Sequence, residues 1–424
     1  MSEATKKKLH YAWYILAVCV LINMIIHVSV MTIGNLYIVP IYNDLQIPRT
    51  LVSLQSIAMT IMAVVSAPFW GKIYKTKSIR HILPIAIGGT ALCTILRSFM
   101  PNIWLMIALA FVKGFFFTGS TLLPISILLT IWFKKDRGLA VSIATIGTSI
   151  GGVFLSPLVE SWISNYGWRV SDRIVGSIMF IVCVPLVALI VRSRPKDLQL
   201  LPYGMTLADV KVTVAGSATK NPSEETGMSF KEARKTPMFY LLLISVFCMT
   251  IAFGAALQIP AYLTDIGYGS AVAAKAVSTY SAVAIFGKLI IGRVTDKKSV
   301  LTGTIYTCVI SILAFIFFIL AKNPVALVGM IICYGLSNGI TAVMPTLLTS
   351  RIFGKKDYGP IYGMVVSVNR FGGGVGTILV SILFDITGNY SIIWPVCTLA
   401  MVFCLVALVS SIKMSDKIIA KPAM

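Results

Sequence analysis

Acidic residues are scarce in this chain. Its 424 residues include 15 Asp and Glu against 36 Lys and Arg, and charged residues of both signs make up only 12%. There are three His and eight Cys. The cysteines are scattered from Cys19 to Cys404 without a close pair. Disulfide frameworks and zinc sites need grouped cysteines, so neither is expected, and packing as small apolar residues is the default. No cluster of nucleophiles or metal ligands stands out, so no enzyme activity and no cofactor is expected. The glycines at 372–374 lack the preceding strand that a dinucleotide fingerprint requires. The net charge of +21 is distributed by position along the chain, so nucleic acid is not an expected partner.

Apolar residues are abundant. Hydrophobic residues make up 57% of the chain and the mean hydropathy is +0.88. A soluble domain of this length could not bury so much apolar surface. About twelve stretches have the roughly twenty apolar residues that cross a bilayer. Their limits are 12–40, 51–71, 82–100, 103–131, 138–164, 171–192, 238–264, 272–292, 300–321, 324–350, 360–388 and 392–413. The length of the runs excludes a transmembrane β-barrel, whose strands alternate over short segments. The apolar run after Lys6, Lys7 and Lys8 is too long for a signal-peptide core, so an uncleaved first helix is expected. The N-terminus, the even-numbered loops and the C-terminus carry 27 Lys and Arg, whereas the odd-numbered loops carry five. The positive-inside rule then places both termini in the cytoplasm. The plasma (inner) membrane is the expected location, with the lipid bilayer as a partner.

An internal repeat divides the chain. GKIYKTKS at 71–78 returns as GRVTDKKS at 292–299, an offset of 221. The same offset carries Lys134-Lys135-Asp136 onto Lys355-Lys356-Asp357, Pro124 onto Pro345, Gly151-Gly152 onto Gly372-Gly373, and Gly167 onto Gly388. The expected fold is all-α, with twelve transmembrane helices in two six-helix halves around a central cavity. The halves are 1–192 and 237–424, joined by a cytoplasmic linker at 193–236 that is expected only to tether them.

Two cations, Lys113 and Arg370, lie deep in apolar spans with no carboxylate at comparable depth. A charge at the bilayer centre costs about 2.5–3.5 kcal/mol on insertion scales. An anionic substrate that comes and goes would offset that cost. For Lys113 the alternative is packing against helix-end carbonyls. Arg370 neighbours Asn369 and the run Gly372-Gly373-Gly374, where a guanidinium could grip a carboxylate at close backbone approach. His27, near the middle of the first span, is either a hydrogen-bonded structural residue or a titrating group in transport. Arg97, at the outer end of the third span, is expected to snorkel to the surface. Phe115-Phe116-Phe117 is expected to face lipid and neighbouring helices. Asn23, Asn35, Gln55, Gln258, Tyr280, Tyr334 and Asn338 are further polar candidates on spans.

Two six-helix halves, a long central loop and a basic loop after helices two and eight resemble the major facilitator superfamily. That family's loop carries an acid, which the second copy keeps as Asp296 and the first replaces with Lys75. The substitution removes the acid of the family's usual acid-to-helix contact in the first copy. RSRPKDLQLLPYG at 192–204, WFKKDRGLA at 132–140 and DITGNY at 385–390 are similar to the oxalate/formate antiporter and monocarboxylate porter group. That resemblance implies that a helix-eleven cation, here Arg370, contributes to an anion site. It also implies a second cation at Lys288, where the group carries an arginine. Lys288 lies one turn from the cytoplasmic end, so snorkelling is the alternative.

The resulting expectation is a monomeric secondary transporter of small organic anions, mono- or dicarboxylates, working by alternating access and exchange. Its site residues would be Arg370, Lys288, Lys113, His27, Asn369 and Tyr280. Proton symport through His27, carriage of another anion, efflux of amphipathic acids, and a membrane sensor on a transporter fold remain open.

Overall fold

The structure, a computed structural model, describes residues 10–47, 49–205, 227–387, 390 and 392–419. Twelve long helices dominate it: α1 (Tyr11–Thr32), α2 (Arg49–Thr76), α3 (Ile79–Arg97), α4 (Ile103–Trp132), α5 (137–166), α6 (168–190), α7 (Pro237–Ala255), α8 (Ser270–Lys297), α9 (Val300–Ile319), α10 (Pro324–Thr341), α11 (Tyr358–Thr387) and α12 (Ile393–Ile419). Ten described stretches are long and apolar enough to cross a membrane. One of them, Arg137–Ile190, holds both α5 and α6. The chain turns between them at Gly167, whose φ of 78° only glycine adopts freely. In hydrocarbon an uninterrupted helix is the simplest way to pair every backbone group, which is why apolar runs of this length fold so.

The repeat is visible in local geometry. Asn102 caps α4 by accepting from the Leu105 N–H, and Asn323, its counterpart at the same offset, caps α10 through the Val325 N–H. Both helices break ahead of the paired prolines, α4 at Thr121 and α10 over Asn338–Thr341, and each continues toward the basic end. Proline removes a helix donor and crowds the preceding turn, so a break at this level follows in both halves. The segment that joins the halves is anchored at equivalent points. The Tyr203 N–H donates to the Trp132 carbonyl at 2.8 Å, and the Met228 N–H to the Phe353 carbonyl at 2.9 Å. Residues 206–226 of the expected linker, and the lysines at 6–8, lie outside the described residues.

The halves meet tightly at the basic end. Gly71 on α2 lies against Gly359 on α11, and their repeat partners, Gly292 on α8 and Gly138 on α5, lie against each other. At each a Cβ would overlap the opposing backbone, so both crossings require glycine. Asp296 accepts from the Gly138 and Leu139 N–H groups at 2.8 and 2.7 Å, at the positive end of α5. In the other copy the polarity is reversed. Lys75 pairs with Asp357 at 2.5 Å, just before α11, and Asp357 also accepts from the Phe230 N–H at 2.8 Å. Burial opposes ionisation of Asp357, but Lys75 and that N–H outweigh it and hold the carboxyl below its usual range. Further along the seam Lys355 donates to the Thr130 carbonyl, Ser126 bonds Thr346 and Tyr362, and Ser367 donates to the Val64 carbonyl. These contacts between the halves reach as far as Ser367 on α11 and Lys288 on α8.

Candidate functional site

A cavity of about 340 Å³ lies between the halves. That is far more room than one water needs. Met31 of α1 and Thr60 and Ala63 of α2 face it from one half, and Thr250, Phe253, Tyr334, Thr341, Asn369 and Arg370 from the other. The glycine run on α11 explains the space. Gly372 packs against Thr250 and Phe247 of α7, which brings the helices together. One residue on, a Cβ at Gly373 would meet nothing within 4 Å, so the bare backbone there borders open volume. Asn369 is fixed by donating from Nδ2 to the Thr341 carbonyl at 2.9 Å.

Arg370 enters this cavity with its guanidinium over the Phe117 ring, 5.0 Å from the centroid. Among the described residues it forms no ion pair. A ring face supplies weak attraction to a cation but no acceptor, so the donors of the fork stay available. Phe117 also meets the His27 ring at 5.9 Å. It is fully buried, so of the lipid and helix contacts expected of the Phe115–Phe117 run this third ring makes only helix contacts, whereas Phe115 and Phe116 are half-buried. His27 is half-buried and its Nδ1 has no hydrogen-bond partner. It is not among the residues that line the cavity.

Lys288 does not snorkel. It is 4% exposed and crosses the seam to α5, donating to the Thr145 carbonyl, Thr148 Oγ1 and Ser149 Oγ at 3.3, 3.2 and 3.2 Å. The offset of 221 relates Thr148 to Asn369 and Ser149 to Arg370. At this level of the two seams both cations come from the second half, Lys288 on α8 and Arg370 on α11. One cation is satisfied by hydroxyls and the other faces the cavity. Tyr280 is set back. It packs edge-on against Tyr334 at 5.1 Å, and Tyr334 in turn stacks on Phe253 and lines the cavity.

Lys113 stands apart from these residues. It borders a separate pocket inside the first half with Arg97, Asp172, Tyr37 and Gln55. Arg97 does not snorkel either. It grips Asp172 through two bonds of 2.7 and 2.6 Å, and Asp172 is fully buried. Their partnership joins α3 to the start of α6 across 75 residues, and a count of charge by depth along the chain passes over it. Sequence reasoning also missed Phe117 and Thr341 as members of the site. The available signal for Asp172 was its position at the head of an apolar span, on the same side of the membrane as Arg97.

Comparison with known proteins fits this geometry. A family model described as Major Facilitator Superfamily matches residues 19–377. Monocarboxylate transporter 12-B of Danio rerio is 24% identical over 282 residues, covering 63% of this chain and 59% of that protein. The agnestins efflux protein AgnL12 of Paecilomyces divaricatus is 24% identical over 258 residues, covering 60% and 54%. The chain thus matches less than two thirds of the length of either relative. In fold it is similar to the proton:xylose symporter XylE bound to 6-bromo-6-deoxy-D-glucose, with a TM-score of 0.69 and 13% identity over 93% of this chain and 94% of that one.

Proposed function

The chain belongs to the major facilitator superfamily, and we propose on that footing that it exchanges small organic anions, mono- or dicarboxylates, across the membrane. The observation that carries this reading is Arg370. It is a guanidinium in the cavity between the halves, with no carboxylate paired to it among the described residues. A carboxylate substrate would accept two parallel bonds from it, the geometry that makes arginine the usual choice for this task. Asn369 and Tyr334 border the same space and would orient the rest of the molecule. The similarity to a monocarboxylate transporter supports this substrate class.

The basic end is bonded shut in this structure. By the positive-inside rule that end faces the cytoplasm, so on this reading the state is closed to the cytoplasm and both termini are cytoplasmic. Transport then requires breaking the Lys75–Asp357, Asp296–α5 and Lys288–α5 contacts and forming others at the opposite end. Bound anion offsets the charge of Arg370 during that rearrangement. An empty site leaves the charge uncompensated, which favours exchange over net flux. The units that rock are 1–192 and 237–424.

Efflux is the second reading, favoured by the similarity to a protein named for that activity. Counterflow in proteoliposomes tests both. Loaded carboxylate should accelerate uptake of labelled carboxylate, and Arg370→Gln should abolish that acceleration. Equal uptake by the variant would remove Arg370 from the site. Acceleration by amphipathic acids alone would favour efflux.

A further inference from the structure

We propose that the pocket around Lys113 is a second, separate binding site for a small monovalent anion of halide or formate size. The pocket lies within the first half, between α1, α2, α3, α4 and the start of α6, and its volume is about 50 Å³. A water needs roughly 10–15 Å³ on this measure, so the space holds a few waters or one small ion. It shares no lining residue with the central cavity. Ser29 and Val30 of α1 face the pocket while Met31 faces the cavity, and Gln55 and Met59 of α2 face the pocket while Thr60 and Ala63 face the cavity.

Its charge is not balanced. Arg97 and Asp172 satisfy each other through two bonds. Lys113 is nine-tenths buried and makes no hydrogen bond or ion pair among the described residues. The three side chains therefore carry one net positive charge in a place where solvation by bulk water is reduced. A buried cation without a partner is among the most costly features a membrane protein can keep. Gln55 also lines the pocket and has a buried Oε1 without a partner. Its amide carries two N–H donors as well as the carbonyl, so it can offer a neutral donor to a bound anion. Ammonium and amide donors around a space of this size suit a compact, singly charged anion. A larger organic acid does not fit. This inference does not rest on the substrate assigned to the central cavity.

The test is thermal unfolding of the full purified chain in gluconate buffer, titrated with chloride and, in a second arm, formate, at constant ionic strength. Stabilisation that sets in near the Kd and grows with the logarithm of anion concentration above it is expected in the wild type. It should persist in Arg370→Gln and vanish in Lys113→Met. Ala110→Leu, which fills the pocket and leaves every charge in place, should also abolish it. If Lys113→Met does not fold, line broadening of ³⁵Cl in the wild type, reversed by formate and absent in Ala110→Leu, decides the matter. No shift with either anion, or a shift retained in Lys113→Met or Ala110→Leu, overturns the site. A shift lost only in Arg370→Gln assigns the small anion to the central cavity instead.

Discussion

Lys113 and Tyr334 occupy equivalent positions in the two halves, related by the offset of 221, yet their surroundings have opposite chemistry. Arg97 near Lys113 corresponds to Phe318 near Tyr334. In the second half this region is an aromatic cluster. Phe318 lies 4.3 Å from Trp394 between centroids, Phe315 and Tyr334 pack on Phe318, and the Tyr262 hydroxyl donates to the Phe318 carbonyl. In the first half the same region holds a buried ion pair, an unpaired ammonium and open space. One backbone scaffold evidently tolerates both. The aromatic version packs densely and needs no ligand. The polar version carries a charge that packing alone does not require, which favours a binding role over a structural one.

Removing one partner of the polar cluster should have the largest effect. Asp172→Ala leaves Arg97 and Lys113 as two buried like charges, and a loss of about 3–5 kcal/mol is expected. Replacing the pair with apolar residues, Arg97→Met with Asp172→Leu, imitates the second half and should cost far less, or stabilise. Trp394→Ala in the aromatic cluster should cost about 3–5 kcal/mol by opening a cavity. Thermal denaturation of the three variants checks this. If the apolar double variant is as unstable as Asp172→Ala, buried charge is not what distinguishes the two regions.

A smaller effect is expected at the seam between α5 and α8. Lys288→Ala removes a charged donor from three acceptors, worth about 1.5–3 kcal/mol to the state with the basic end closed. Spin labels at the basic ends of α5 and α8 should report a shift toward longer distances, and Lys288→Arg should restore part of the short population. An unchanged distance distribution in Lys288→Ala would show that Gly138, Gly292 and Asp296 hold this seam without it.

The smallest effect belongs to Lys75 and Asp357. Lys75 is half-exposed, so the pair should contribute about 0.2–1 kcal/mol. Asp357 is held below the ordinary carboxylate range in the folded chain. Its contribution is therefore complete above the unfolded value near pH 4 and is lost as pH falls through the lowered folded value. Closure of the basic end should weaken with acidification in that window, and Lys75→Met should flatten the dependence. A variant that keeps the wild-type profile would separate the ion pair from closure.

Most of the fold was legible in the sequence because its causes are local. Span length comes from bilayer thickness, helix breaks from Pro124 and Pro345, and the crossings from glycines that recur at one offset. The site was legible only in part. Arg370 and Asn369 lie on the predicted helix and border the cavity. Lys113 sits at a similar depth but on a different helix face, and depth carries no information about azimuth. The Arg97–Asp172 pair escaped because it joins two segment ends that are adjacent only after α3 and α6 pack. Lys288 was ambiguous because one turn from a surface is within a lysine's reach. Its direction was fixed by the hydroxyls of α5, which only the packed seam brings near.

The central claim is that Arg370 receives the carboxylate of the substrate. Titration calorimetry of the purified chain with a small carboxylate and its matched amide, in wild type and Arg370→Gln, tests it most directly. The wild type should bind the acid at least tenfold more tightly than the amide, a difference of about 1.4 kcal/mol or more. Arg370→Gln should abolish that preference while unfolding near the wild-type temperature. Equal affinity for acid and amide in the wild type, or an acid preference undiminished in Arg370→Gln, would contradict it.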